Sequence, residues 1–239
     1  MQRRILITND DGIDADGIKR LVEAAREFGE VWVVAPHDQR SAASHSITLR
    51  HSMSVAPYDF PVEGVKAYSC TGTPADCIRV GSISIMPQKP DIVMAGINYG
   101  YNVATDIQYS ATVGAAFEGE FQGYLSMAFS ENMGECHEVT DRYLREIMNE
   151  ILEKEYVPGI VWNVNFPGCK LKDCKGVLRD LAVSRNAFYN DGYKKVKDLP
   201  DGGCEYIVDG VYSPSHEKGT DYGAILDNYV SIGVVHNIS

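Results

Sequence analysis

Along the first two thirds of this chain, apolar runs of strand length alternate with segments of helical period. Arg4 to Thr8 reads as a short buried strand, and Val31 to Ala35 is a second apolar run that stops at Pro36. Between them, Gly17 to Phe28 places Ile18, Leu21, Val22, Ala25 and Phe28 on one helical face. Strands apolar on both sides and separated by a helix are what a parallel sheet covered on both faces requires. The pattern recurs. Thr73-Pro74-Ala75-Asp76 carries a capping hydroxyl, a proline at the first helical position and a carboxylate in the first turn, so it predicts a helix start. Asp91 to Ile97, Leu125 to Phe129 and Val161 to Phe166 are further strands. Ser110 to Phe121 forms a helix rich in small residues, and Thr140 to Lys154 one that turns Leu144, Ile147, Met148 and Ile151 inward. The expected architecture over residues 1–185 is α/β, with four or five parallel strands flanked by helices.

After about Arg185 the texture shifts to Tyr, Gly, Asp and Lys. Pro200-Asp201-Gly202-Gly203 is a strong turn between Tyr193–Leu199 and Cys204–Ser213, which predicts a β-hairpin arm within residues 186–218. Within residues 219–239, Val230 to Val235 is a closing strand that returns to the core. A lone two-stranded hairpin is marginal in water, so the arm needs a partner surface. Tyr189, Tyr193, Tyr206 and Tyr212 give it aromatic area of the kind enriched at interfaces, and a homodimer or larger assembly is expected.

Length and charge narrow the function. At 239 residues the chain suits one large domain with an appended arm, and its net charge of −11 argues against a sequence-independent grip on a nucleic-acid duplex. No apolar run reaches membrane-spanning length, and the run behind Arg3 and Arg4 is too short for a signal-peptide core, so no membrane partner and a cytoplasmic location are expected. Cys70, Cys77, Cys136, Cys169, Cys174 and Cys204 lack CxxC spacing and are expected as reduced thiols, with Cys169 and Cys174 near a surface turn. His37, His45, His51, His137, His216 and His236 show no metal-ligand spacing. His45, beside Ser41, is the one to watch.

In open α/β sheets ligands bind beyond the carboxyl ends of the strands. The first strand runs into Asn9-Asp10-Asp11-Gly12, the second into Pro36-His37-Asp38-Gln39-Arg40-Ser41, and Asp91–Ile97 into Asn98-Tyr99-Gly100-Tyr101-Asn102. Two adjacent carboxylates repel each other, and an oxygen-rich shell of Asp10, Asp11, Ser41 and Asn98 would relieve this by binding a hard cation, Mg²⁺ or Mn²⁺ before zinc or copper. Taken alone, Asn9-Asp10-Asp11-Gly12 reads first as a tight Asx turn, Ser41 as a loop hydroxyl and Asn98 as a turn residue. Their fall on one sheet edge is what favours a site. The Ser110-Ala111-Thr112 helix start offers free N–H groups to a phosphate, or else is ordinary N-capping. GxxxxGK[ST], GxSxG, HExxH and a GxGxxG after the first strand are all missing.

The assembled strings resemble the SurE family of survival-protein nucleotidases. Asn9-Asp10-Asp11-Gly12, Ala35-Pro36 through Ser41, Ser46-Ile47-Thr48, Thr71 through Cys77, Gly96 through Asn102 and Tyr109 through Val113 occur in family order. Thr220-Asp221 and Tyr229 to Ile232 resemble its closing strand. The resemblance implies a Rossmann-like core and one divalent ion per subunit on Asp10, Asp11, Ser41 and Asn98. It also implies hydrolysis of nucleoside 5'- and 3'-monophosphates, and homodimers or homotetramers built by exchanged C-terminal elements. Two departures stand out. Ala111 occupies a position where the family loop usually has Gly, and few residues follow the last strand for an exchanged helix. The expected mechanism is in-line attack of a metal-activated water, with Asp10 or Asp11 orienting or deprotonating it and Asn98, Ser110 and Thr112 holding the phosphate. A metal-dependent transferase and a non-catalytic nucleotide-binding module are the alternatives.

Overall fold

A computed structural model describes residues 2–213 and 217–236. In chain order the strands and helices begin β1 (Arg3–Thr8), α1 (Asp16–Ala25), β2 (Gly29–Pro36), β3 (Val55–Tyr58), β4 (Lys66–Cys70), α2 (Pro74–Val80), β5 (Ile92–Tyr99) and α3 (Ala111–Phe121). They continue with β6 (Leu125–Glu131), α4 (Glu138–Leu152), β7 (Val161–Phe166), β8 (Val177–Leu178), β9 (Tyr189–Asn190), β10 (Tyr193–Asp198), β11 (Cys204–Val208), β12 (Val211–Tyr212), α5 (Asp221–Leu226) and β13 (Val230–Val235). His216 lies outside the described residues.

The main sheet has nine strands in the order β3-β4-β2-β1-β5-β6-β7-β13-β8. From β4 to β7 every neighbouring pair is parallel, whereas β3 and β13 pair antiparallel with β4 and β7. The mostly parallel α/β expectation holds, with one more parallel strand than anticipated. β3 and β4 lie in the stretch between Pro36 and Thr73 that the hydrophobic pattern left blank. β3 is an edge strand with Pro57 in it, the position in a sheet where a missing N–H costs least.

Strand period divides the core. Ile5, Ile7, Val31, Val33, Met94, Phe129 and Val164 face α1 and α4 on one side of the sheet. Leu6, Val34, Val93, Ala95 and Ala128 face α2 and α3 on the other. Each fully buried Ile or Leu is worth about 1.5–3 kcal/mol in apolar transfer, and β1 is buried this way on both faces. The small residues of α3 have a reason. A Cβ on Gly114 would lie 2.7 Å from the Ser44 carbonyl oxygen, and one on Gly119 would lie 2.7 Å from Val93, so the helix fits between the sheet and the loop after β2 only because both are glycine. At the start of α2, Thr73 and Asp76 form the capping box that the sequence predicts.

The expected hairpin arm is present but built differently. β10 pairs with β11 across the Pro200–Gly203 turn, while the second run breaks at Asp209-Gly210 so that β12 pairs with β9. Every residue of β10 is exposed. α5, also unanticipated, is short and contains Gly223, which leaves it little helical signal. All six cysteines are free thiols, and Cys169 and Cys174 flank the exposed turn Leu171–Asp173 as expected, each half-buried against the core. Among the described residues no helix is long and apolar enough to cross a membrane.

Candidate active site

The carboxyl end of β1 is a turn and a site at once. Asn9 does the turn chemistry: its Nδ2 donates to the Gly12 carbonyl at 2.7 Å, and Gly12 takes the left-handed backbone (φ 100°) that closes the turn. Asp10 and Asp11 are thereby free for other work. The Arg40 amide donates to the Asp10 carbonyl at 2.7 Å and the Ile13 amide to the Pro36 carbonyl at 2.8 Å, which laces the loop after β2 to this turn.

That loop carries Ser41 and is itself anchored from behind. The Asp76 carboxylate accepts from the Thr48 amide at 3.0 Å and from its hydroxyl at 2.6 Å, and the Thr73 hydroxyl donates to the Ser46 carbonyl at 2.7 Å. Burial pushes the Asp76 carboxyl up, but the Thr48 and Thr73 donors outweigh it and hold it below its usual value.

Asp10 is 4% exposed, and its Oδ1 accepts from the Thr112 hydroxyl at 2.5 Å. Burial raises its pKa to about 7, with Thr112 opposing and Asp11 adding to the rise. Burial also raises that of Asp11, against donors from the Tyr99 amide at 2.9 Å and Gln39 Nε2 at 3.3 Å. The same Gln39 nitrogen donates to Ser41 Oγ at 3.0 Å, so one amide group ties Asp11 to Ser41. Asn98 Nδ2 donates to the Gly100 carbonyl at 2.8 Å and leaves Oδ1 as its open acceptor. Asn98 belongs to β5 itself, at a register shift between Ala95 and Asn98, rather than to a turn after it.

Asp10, Ser41, Asn98 and Ser110 line one cleft of about 200 Å³, together with Tyr99, Tyr101, Asn102 and Asp106. Asp11 opens instead on an adjoining cleft that shares Tyr99. Thr112, expected to hold a phosphate, is fully buried, and its hydroxyl donates to Asp10, so its side chain is directed at the carboxylate and not into the cleft. His45 pairs with Glu118 at 2.9 Å and stays out of the cleft. At the start of α3, Ser110 Oγ accepts from the Val113 amide at 3.1 Å, so the capping reading holds; the Ala111 and Thr112 amides behind it have no hydrogen-bond partner among the described residues, and both residues are fully buried. Ala111 is fully buried and keeps a negative φ, which accommodates the departure from Gly without crowding the cleft.

Sequence reasoning missed three residues. Gln39 and Asn102 act through hydrogen bonds that only the fold reveals, the Asn102 amide donating to Asn165 Oδ1 at 2.8 Å and its side chain to Ser130 Oγ at 2.8 Å. Asp106 reaches the cleft from a short helical turn, Ala104–Gln108, and burial followed by nearby Asp191 raises its pKa.

The donor set suits a hard cation. Among the described residues there is no cluster of three or more His, Cys, Asp or Glu side chains able to hold a metal, so an ion here would rest on two carboxylates with hydroxyl and amide oxygens. The paired carboxylates, Asp10 buried and Asp11 half-buried, have an electrostatic deficit that such an ion would remove.

A model of the family described as survival protein SurE matches residues 5–188, a span that contains every residue lining this cleft. The chain belongs to the SurE family. It is 36% identical over 236 residues to a 5'-nucleotidase SurE of Clostridium botulinum, covering 97% of this chain and 92% of that protein. It is 35% identical over 233 residues to a 5'-nucleotidase SurE of Flavobacterium psychrophilum, covering 95% and 89%. The crystal structure of a SurE protein from Aquifex aeolicus superposes with a TM-score of 0.82 at 32% identity, covering 99% of this chain and 94% of that one. The family match covers the parallel core and stops at residue 188, just before β9.

Proposed function

We propose that this SurE-family chain is a metal-dependent phosphomonoester hydrolase acting on nucleoside 5'- and 3'-monophosphates. The observation that carries the reading is the meeting of Asp10, Ser41, Asn98 and Ser110, the N-cap of α3, in one small cleft, since hydrolysis of a phosphate ester needs a cation seat beside an anion seat. That relatives at about this identity carry the name 5'-nucleotidase supports it.

Asp10, Asp11, Ser41 and Asn98 Oδ1 would hold Mg²⁺ or Mn²⁺, which when bound supplies Lewis acidity and a more acidic water. Asp10 is held through Oδ1 by Thr112 and presents its other oxygen to orient the attacking water and take its proton. The Ser110 side chain and the second Nδ2 hydrogen of Asn98 hold the phosphate oxygens, aided by the α3 dipole. No covalent phosphoenzyme is required.

The arm assigns a second property to the same reading. Val196, Tyr206, Ile207, Val208 and Val211 are all more than half exposed, an apolar surface that a single subunit leaves in water. A homodimer or homotetramer in which arms pack on neighbouring subunits covers it.

Phosphate release from 5'-AMP, 3'-AMP, 5'-GMP and ribose 5-phosphate, with Mg²⁺, with Mn²⁺ and after chelation, tests the activity. Turnover of the nucleotides that disappears with chelator and returns with metal is expected. Equal turnover in chelator, or none with any metal, contradicts it.

A further inference from the structure

Next to the phosphate cleft lies a second cavity of different character. It holds about 330 Å³ and is walled by Tyr101, Phe188, Tyr212, Tyr222 and Met133, with Asn132 as its polar group. Tyr101 is common to both cavities, one ring forming the partition. The aromatic walls are set: Phe188 lies 5.1 Å from Tyr212 and 5.1 Å from Tyr222, the latter edge-on, and the Tyr101 hydroxyl accepts from the Gly168 amide at 2.9 Å. Asn132 makes no side-chain hydrogen bond among the described residues, so its amide offers one donor and one acceptor edge.

From this we propose that the aromatic cavity is the subsite for the nucleobase of the substrate, with the base stacked against Tyr101 and Tyr212 and its edge read by Asn132. The inference rests on the nucleotidase reading and names what that reading leaves open, the residues that select a nucleotide over a bare sugar phosphate. Three features point to a base rather than an aliphatic or acidic ligand. Four of the eight lining residues are aromatic, beside Met133, Ile225 and Leu226, and on such π surfaces base stacking contributes severalfold to hundredfold in affinity and tolerates any base. The cavity has the volume and the apolar lining with few polar groups that a small-molecule site shows. The shared Tyr101 puts it beside the phosphate seat, as the two ends of one nucleotide require. Phe188 and Tyr212 come from the two ends of the arm, so the subsite is built where the core meets the arm.

The experiment compares kcat/KM for 5'-AMP and for ribose 5-phosphate in the metal-loaded full chain, together with equilibrium binding of adenosine, which has no phosphate. Tyr212, half exposed, is replaced in Tyr212→Ala; Met133→Trp fills the cavity instead of emptying it; and Asn132→Ala removes the polar edge. In the wild type the AMP to ribose 5-phosphate ratio should be about tenfold or more, and each variant should lower that ratio and weaken adenosine binding, Tyr212→Ala and Met133→Trp by about tenfold. Equal kcat/KM for the two substrates in the wild type overturns the subsite, as does a ratio unmoved by all three variants. Should no phosphate ester be hydrolysed at all, the nucleotidase reading fails, and adenosine binding then decides the cavity separately: binding lost in the variants supports a nucleoside site, and no binding to the wild type overturns it.

Discussion

At the carboxyl edge of the sheet, polar groups ranging from buried to exposed hold one another: Asn9 closes the turn, Thr112 holds Asp10, the exposed Gln39 joins Asp11 to Ser41, and Asp76 anchors the loop behind them. In the arm, β10 and β11 pair only with each other and carry their Val, Ile and Tyr side chains in water. The first region is determined by one subunit and strains its own electrostatics to do so. The second contributes almost nothing to its own subunit's core. The edge is therefore where the proposed chemistry falls, and the arm is where the proposed assembly would make its contacts.

The sharpest way to break this contrast is through pH in the metal-free protein. Asp10 has its pKa raised from 3.8 to about 7 in the folded chain, so the folded state favours its protonated form. That contribution to stability is complete below about pH 4 and is lost as pH rises through about 7, by up to about 4 kcal/mol. Asp11 acts in the same direction, whereas Asp76, held below its usual value, acts in the opposite one at lower pH. Urea midpoints at pH 5 and pH 8 in chelator, for wild type and Asp10→Asn, isolate the effect. The wild type should lose more stability than the variant, and parallel behaviour of the two would remove the claim that the site is held under electrostatic tension.

A smaller effect sharpens the role of Thr112. Because its hydroxyl donates to Asp10 rather than facing the cleft, Thr112→Val should lower metal affinity and turnover together, by about 10- to 100-fold. Calorimetric titration with Mn²⁺ checks this, and an unchanged metal isotherm would return Thr112 to the phosphate side. The smallest effect belongs to the arm. Replacing residues 194–207 with a Gly/Ser linker should shift subunit stability at dissociating concentration by less than about 0.5 kcal/mol, as for surface changes generally, while lowering the assembled mass in light scattering. An unchanged mass would show that the arm does not join subunits.

The sequence made the edge legible because buried strands announce their ends. Asp10 and Ser41 follow two such strands and Asn98 lies near the end of a third, and a parallel sheet brings strand ends to one side whatever lies between them. What it concealed has a physical reason in each case. β4 is five residues of mixed character and β3 an exposed edge strand, so neither shows a period. The direction of Thr112 depends on which way a helix-start side chain leans once α3 is docked, which spacing does not encode. Asp106 comes from a short helical turn, and Gln39 matters through what its amide reaches across the fold. The arm's turn was plain in Pro200-Asp201-Gly202-Gly203, but the break at Asp209-Gly210 divides it into two ladders that residue patterns treat as one run.

The central claim, that the paired carboxylates at the end of β1 carry the chemistry, is tested most directly by steady-state phosphate release from 5'-AMP under saturating Mn²⁺. Wild type, Asp10→Asn and Asp11→Asn are compared side by side, with circular dichroism confirming that each variant is folded. Both variants should lose on the order of 10²–10³-fold or more in kcat/KM, because each removes charge from the seat that stabilises the developing charge on the phosphoryl group. Near-normal turnover in both folded variants would contradict the account and move the reaction to another part of the molecule.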